Sequence, residues 1–151
     1  MSVLLVNPST YETPRRLEDR MHPLTVLFLS SYLLSNGIDA TILDLSRSVD
    51  PGDELQRHLE AHRYALIGFT CETENRFLIQ DLVRRTREAA PDALLVGGGN
   101  HMTHTAEETL QAIDELDVVV RYTGEKTLLW LTQRLLAGEP WASLEGLSYR
   151  D

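Results

Sequence analysis

Three groups of side chains have the types and spacing for chemistry: Ser9, Thr10 and Thr13; Thr70, Cys71, Glu72 and Thr73; and His101, His104, Glu107 and Glu108. The first two are hydroxyl-bearing loops, and hydroxyls acting with backbone N–H groups can cradle a phosphate or another polar ligand group. Cys71 follows an apolar run and precedes a helix, where a thiolate would be favoured. No general base stands beside it, and a buried structural thiol is the simpler reading. His101 and His104, three apart with carboxylates close behind, have a spacing that fits a metal site and equally fits solvated histidines in a loop that opens a helix.

The elements that must position these groups are short apolar runs. Asp92-Ala93-Leu94-Leu95-Val96 ends in Gly97-Gly98-Gly99-Asn100-His101, reading as a strand buried on both faces that opens into a loop lacking Cβ atoms. A ligand is expected there, although a tight turn with no ligand would need the same glycines. Similar runs precede the other polar loops. Val3 to Val6 leads to Asn7-Pro8-Ser9, Ala65 to Phe69 leads to Thr70 to Thr73, and Val118 to Val120 leads to Arg121-Tyr122-Thr123-Gly124-Glu125. A further strand is expected over Ile38 to Leu45.

Helical spacing fills the intervals. Pro23 opens a helix with Leu24, Leu27, Phe28, Tyr32 and Leu34 as its apolar positions, stopped by Gly37. A polar helix is expected over Gly52 to His62. Another begins with Thr73 as N-cap and carries Phe77, Leu78, Leu82 and Val83 before ending at Pro91. Thr105 to Glu108 starts a helix with acidic residues in its first turn, and Gly124 to Ala137 carries Leu128, Leu129, Leu131, Leu135 and Leu136 until Gly138. The connection between Pro8 and His22, about fifteen residues against the usual 2–6, is long enough to cover a ligand.

Strands alternating with helices predict a doubly wound α/β fold with a five-stranded parallel sheet, Rossmann- or flavodoxin-like, in the order 2-1-3-4-5. In such sheets ligands sit beyond the carboxyl ends of the strands, the edge on which all the polar loops fall. Residues 1–140 form the α/β domain. Residues 141–151 read as an exit segment, since Leu147-Ser148-Tyr149 has strand character and stops without a turn, as if leading to a further catalytic domain.

A chain of 151 residues fits one domain. Its 23 acidic against 14 basic side chains give a net charge of -9, which leaves no basic footprint for nucleic acid and would be repelled by an anionic membrane. With no targeting segment and no apolar stretch near the ~20 residues of a membrane span, a cytoplasmic location is expected. The single cysteine excludes an internal disulfide and any cysteine trio for a cluster. A flavin phosphate on Ser9, Thr10 and Thr13 is one alternative, weakened because Tyr11-Glu12 stands where the flavodoxin pattern wants glycine. A phospho-acceptor receiver domain is another, and it lacks its acidic pair and its aspartate.

Taken in order, the motifs resemble those of the cobalamin-binding domain that precedes the catalytic barrel in many radical S-adenosylmethionine enzymes. Val3 to Pro8 is similar to that family's opening strand and Asn-Pro turn, and Pro23-Leu24 through Tyr32-Leu33 to Gly37 is similar to its P-L-G-L…A-x-Y-L…G helix. Gly98 to Thr103 resembles G-G-P-H-A-T, Glu107 to Leu110 resembles P-E-E-T-L, and Arg121 to Glu125 resembles R-G-E-G-E. Asn100, Ala106 and Thr123 depart from the pattern.

The resemblance implies cobalamin bound base-off, its dimethylbenzimidazole tail beside strand four and its corrin over the strand ends facing the Ser9–His22 loop. Pro8, Ser9, Thr10, Thr70, Cys71, Glu72, Thr73, Gly98, Gly99, Asn100, His101, Tyr122, Gly124 and Glu125 would hold it. The D-x-H-x-x-G motif that supplies a cobalt-ligating histidine in a related branch is absent, so no protein histidine is expected on the metal; His22 is the nearest candidate. The module would be a methyl carrier, inert alone. The iron–sulfur cluster and S-adenosylmethionine would belong to a partner catalytic domain, in the same chain or in a separate subunit. The contrasting expectation is a degenerate domain that binds no cofactor and serves as an interaction surface.

Overall fold

A computed structural model describes residues 2–8 and 23–150. Its elements run β1 (Ser2–Asn7), α1 (Leu24–Ser35), β2 (Ala40–Asp44), α2 (Pro51–Ala61), β3 (Tyr64–Thr70), α3 (Arg76–Ala89), β4 (Leu94–Gly98), α4 (Asn100–His104), α5 (Ala106–Ala112), β5 (Val118–Val120), α6 (Glu125–Ala137) and β6 (Leu147–Tyr149). Among the described residues no helix is long and apolar enough to cross a membrane.

The sheet order is β2-β1-β3-β4-β5-β6, parallel from β2 to β5. The expected 2-1-3-4-5 core is present, and the count of five is corrected to six. Leu147–Tyr149 pairs antiparallel with β5, because the chain returns from α6 beside the outer edge of β5, one of the two edges of the parallel sheet. Arg150 then donates to the carbonyls of Leu110, Ile113, Asp114 and Leu116 at the end of α5. Over Leu147–Arg150 the segment read as an exit is thus tied into the sheet and the helix end beside it.

Both faces of the sheet are covered. On one, Leu4, Val6, Ile67, Phe69, Cys71, Leu95 and Val119 pack with Leu55 and Leu59 of α2, Ile79, Leu82 and Val83 of α3, and Met102 of α4. On the other, Val3, Leu5, Leu66, Val96, Val118 and Val120 meet Val26 and Leu33 of α1 and Leu128, Leu129 and Leu131 of α6. Alternation along each strand sends successive residues to opposite faces, and this decides everything at the site.

Two helices differ from expectation. In α1 the buried residues are Val26 and Leu33, whereas Leu24 and Phe28 are 55% and 65% exposed. The helix is apolar nearly all round, so its spacing alone does not select the inner face. Thr73 is not the N-cap of α3. Thr73–Asn75 is a 3-10 turn, closed by a reciprocal capping box between Glu72 and Asn75, and α3 starts at Arg76. Phe77, expected in the core, is exposed beneath the Arg76 guanidinium, 4.3 Å from its ring centre.

Candidate functional site

At the carboxyl end of the sheet, the face under α1 and α6 is not filled. Register pairs Gly68 of β3 with Val96 of β4, and Thr70 with Gly98, so two glycines on adjacent strands lie on this same face. A Cβ on Gly98 would meet nothing closer than the Val120 carbonyl oxygen at 3.5 Å. The resulting cavity is about 660 Å³, within the ~300–1,000 Å³ of small-molecule sites. Its floor is Leu5, Gly68, Val96, Gly98 and Val120, and its walls are Leu24, Val26, Phe28 and Leu29 of α1 and Leu128 of α6. Thr70, Glu72, Asn100, Thr103, His104, Tyr122, Thr123 and Glu125 form a polar rim at the strand ends. The arrangement is an apolar slot with a hydrogen-bonding mouth.

The rim is held from several sides. Gly99 has φ 96° and ψ 175°, a conformation essentially confined to glycine. It packs directly on the Cys71 backbone, whose N–H donates to the Gly98 carbonyl at 2.8 Å and whose carbonyl accepts from His101 N–H at 3.2 Å. The Thr73 hydroxyl and His101 Nδ1 share a hydrogen bond of 3.2 Å. After β5, Tyr122 adopts φ 59°, the left-handed region, and its N–H donates to Thr103 Oγ1 at 3.0 Å. Asn7 Nδ2 donates to Asp44 Oδ1 at 2.9 Å, joining the ends of β1 and β2. Burial opposes the charge on Asp44, but the hydrogen bonds from Asn7 and Ser46 outweigh it and lower its pKa.

Two charged groups here are incompletely satisfied. Glu125 Oε2 and Arg121 Nε are buried and have no hydrogen-bond partner among the described residues. In native proteins such atoms are few and call for a reason; for Glu125, which lines the open cavity, a ligand's polar groups would supply one.

The sequence-derived site residues therefore separate. Thr70, Glu72, Gly98, Gly99, Asn100, Tyr122, Gly124 and Glu125 line the cavity. Cys71, Thr73 and His101 stand behind its rim as supports. Pro8 is buried at the end of β1 without lining the cavity, and Ser9, Thr10 and His22 lie outside the described residues. Burial, with the Glu72 charge beside it, pushes the Cys71 thiol up to about 12; the thiolate reading fails because the side chain faces the core. No three His, Cys, Asp or Glu residues among those described are arranged to hold a metal, so His101, His104, Glu107 and Glu108 do not close into a centre.

Gly68 was missed by sequence reasoning. Its signal was present, a glycine inside an otherwise apolar strand, which marks a close approach of something other than a side chain. The α1 wall was missed as well, because Leu24 and Phe28 read as ordinary core.

A family model described as B12 binding domain matches residues 15–131. The anaerobic magnesium-protoporphyrin IX monomethyl ester cyclase of Synechocystis sp. is 27% identical over 153 residues, spanning 99% of this chain and 31% of that protein. An uncharacterized methyltransferase of Pyrococcus horikoshii is 24% identical over 151 residues, spanning 100% of this chain and 33% of that protein. The solved structure of the cobalamin-dependent S-adenosylmethionine radical enzyme OxsB, with aqua-cobalamin and S-adenosylmethionine bound, matches with a TM-score of 0.80 at 20% identity, covering 99% of this chain and 21% of that one. At that identity the likeness establishes the fold. These relatives are much longer, and the chain spans 33% or less of each. With the family model covering most of its length, from before α1 into α6, this chain belongs to the B12-binding domain family.

Proposed function

We propose that the chain holds cobalamin base-off, its nucleotide tail in the slot between the sheet and helices α1 and α6 and its corrin over the strand ends, as the cofactor module of a radical S-adenosylmethionine protein. The observation that carries this is the floor of the slot: Gly68 and Gly98 lie on the same face of adjacent strands, a Cβ on Gly98 would stand in ligand space, and one on Gly68 would press on Leu5 Cδ2 at 3.1 Å. The donor set fits. Apolar walls suit the benzimidazole ring, and Thr70, Asn100 and Thr123 at the mouth suit the ribose, phosphate and amides. Bound cobalamin supplies a cobalt centre able to accept and donate a methyl group. The chain's own residues bind, orient and shield it: the α1 and α6 walls exclude water from the tail, while the Gly99–Cys71 and Tyr122–Thr103 contacts fix the loops around it.

The α/β domain of residues 1–140, together with the strand Leu147–Tyr149 that completes its sheet, acts as this module and connects to a catalytic partner. With one cysteine the chain has no ligand set for an iron–sulfur cluster, so it is inert by itself and the methyl transfer belongs to the whole assembly. No histidine of this chain ligates cobalt. His101 is bonded to Thr73, and His104 is the one histidine among the described residues that lines the cavity.

Mixing the protein with hydroxocobalamin, desalting it and recording the visible spectrum tests the reading. A retained, stoichiometric corrinoid spectrum is expected, and a colourless protein fraction would favour a degenerate interaction domain. After one-electron reduction of the bound cobalt(III) to cobalt(II) with dithionite, electron paramagnetic resonance of the same sample should lack the triplet splitting that an axial nitrogen imposes. A triplet abolished by His22→Ala or His104→Ala would make that histidine the ligand.

A further inference from the structure

Building on that reading, we infer that the cavity selects its corrinoid by amide content, with Glu125 as the residue that rejects corrinoids carrying a free carboxylate. The chemistry of the lining points this way. Glu72 and Glu125 both line the cavity, and among the described residues no lysine or arginine does. Glu72 is occupied, since its side chain accepts from the backbone N–H of Asn75 in the capping box. Glu125 is not. Its Oε2 is buried without a partner, and neither it nor Arg121 forms an ion pair among the described residues.

A carboxylate in that state accepts hydrogen bonds and cannot give them. Left unpaired it is costly, and a ligand N–H that reaches it removes the cost. The fringe of a complete corrin consists of primary carboxamides, each with two N–H donors. Hydrolysing one to a carboxylate replaces a donor with a second acceptor of like charge, and among the described residues no lining cation offsets the repulsion. Specificity arises here from what the wrong ligand suffers, which separates ligands that differ by a single group far better than an extra attraction does. Position supports the assignment: Glu125 is the first residue of α6, immediately after the rim residues Tyr122 to Gly124, and so stands where ligand side chains meet the mouth.

Cobalamin monocarboxylic acids, each with one propionamide hydrolysed, supply the test. Their affinities for the 151-residue chain are measured by visible-absorption titration against hydroxocobalamin at low salt and neutral pH. At least one of them should bind the wild type about tenfold or more weakly, a 1.4 kcal/mol difference. Glu125→Gln, which keeps the shape and loses the charge, should bring that acid to within about threefold of hydroxocobalamin, and Glu125→Asp should keep most of the discrimination. Equal binding of every acid by the wild type overturns the inference without touching the cofactor reading, as does discrimination that survives in Glu125→Gln. A wild type that retains no hydroxocobalamin overturns both.

Discussion

Gly97 and Gly98 are neighbours in sequence and face opposite sides of the sheet. A Cβ on Gly97 would run into the Sδ of Met102 and stand 3.1 Å from Leu116 Cδ2, both side chains being fully buried. A Cβ on Gly98 would meet only a carbonyl oxygen at ordinary contact distance. One face is a closed core and the other an open slot, so the same residue type does packing work on the first and leaves open space on the second. Gly99 belongs to neither: it is there for its backbone, at φ 96° and with the Cys71 carbonyl oxygen 2.5 Å from where a Cβ would lie.

The comparison can be broken residue by residue. Gly99→Ala should have the largest effect, because glycine-only dihedrals and a clash with backbone atoms add together. A loss of about 3 kcal/mol or more in urea unfolding is expected, and a change under about 1 kcal/mol would mean the Gly99–Cys71 contact is not tight. Gly97→Ala overfills a packed core whose Met102 can shift only inside it, and about 1–3 kcal/mol should be lost with cobalamin affinity nearly unchanged for the molecules that remain folded.

The rim offers a smaller, pH-dependent effect. Asp44 has its folded pKa below the ordinary carboxylate value, so its contribution is fully present above the unfolded pKa and is lost as pH falls through the folded one. Wild type should therefore exceed Asp44→Asn by about 1 kcal/mol at pH 7, the difference closing below about pH 4. A gap that stays constant from pH 7 to pH 3 would remove the Asn7–Asp44 pairing from the account.

Much of the architecture was legible because buried parallel strands are apolar runs ended by glycine or polar residues, and the order 2-1-3-4-5 follows from few allowed crossovers. The sixth strand needed knowledge of which sheet edge the chain returns to after α6, which Leu147-Ser148-Tyr149 does not encode locally. The site was half legible. Gly98, Thr70 and Glu125 announce themselves at strand ends, but the facing of three successive glycines depends on register with β3, and register is a property of two strands. Gly68 hid among core residues for the same reason. Thr73 was mistaken for a cap because Glu72 and Asn75, the residues flanking Thr73-Glu74, take that role by bonding to each other across a 3-10 turn.

The central claim is that Gly98 faces space kept for a ligand. Gly98→Val measures it directly, since a β-branched side chain suits a strand and projects only into the slot. The chain carrying it should unfold within about 1 kcal/mol of wild type while its affinity for hydroxocobalamin falls about a hundredfold or more, the tail no longer fitting. Wild-type affinity in a folded Gly98→Val protein would contradict the account and place the nucleotide tail elsewhere.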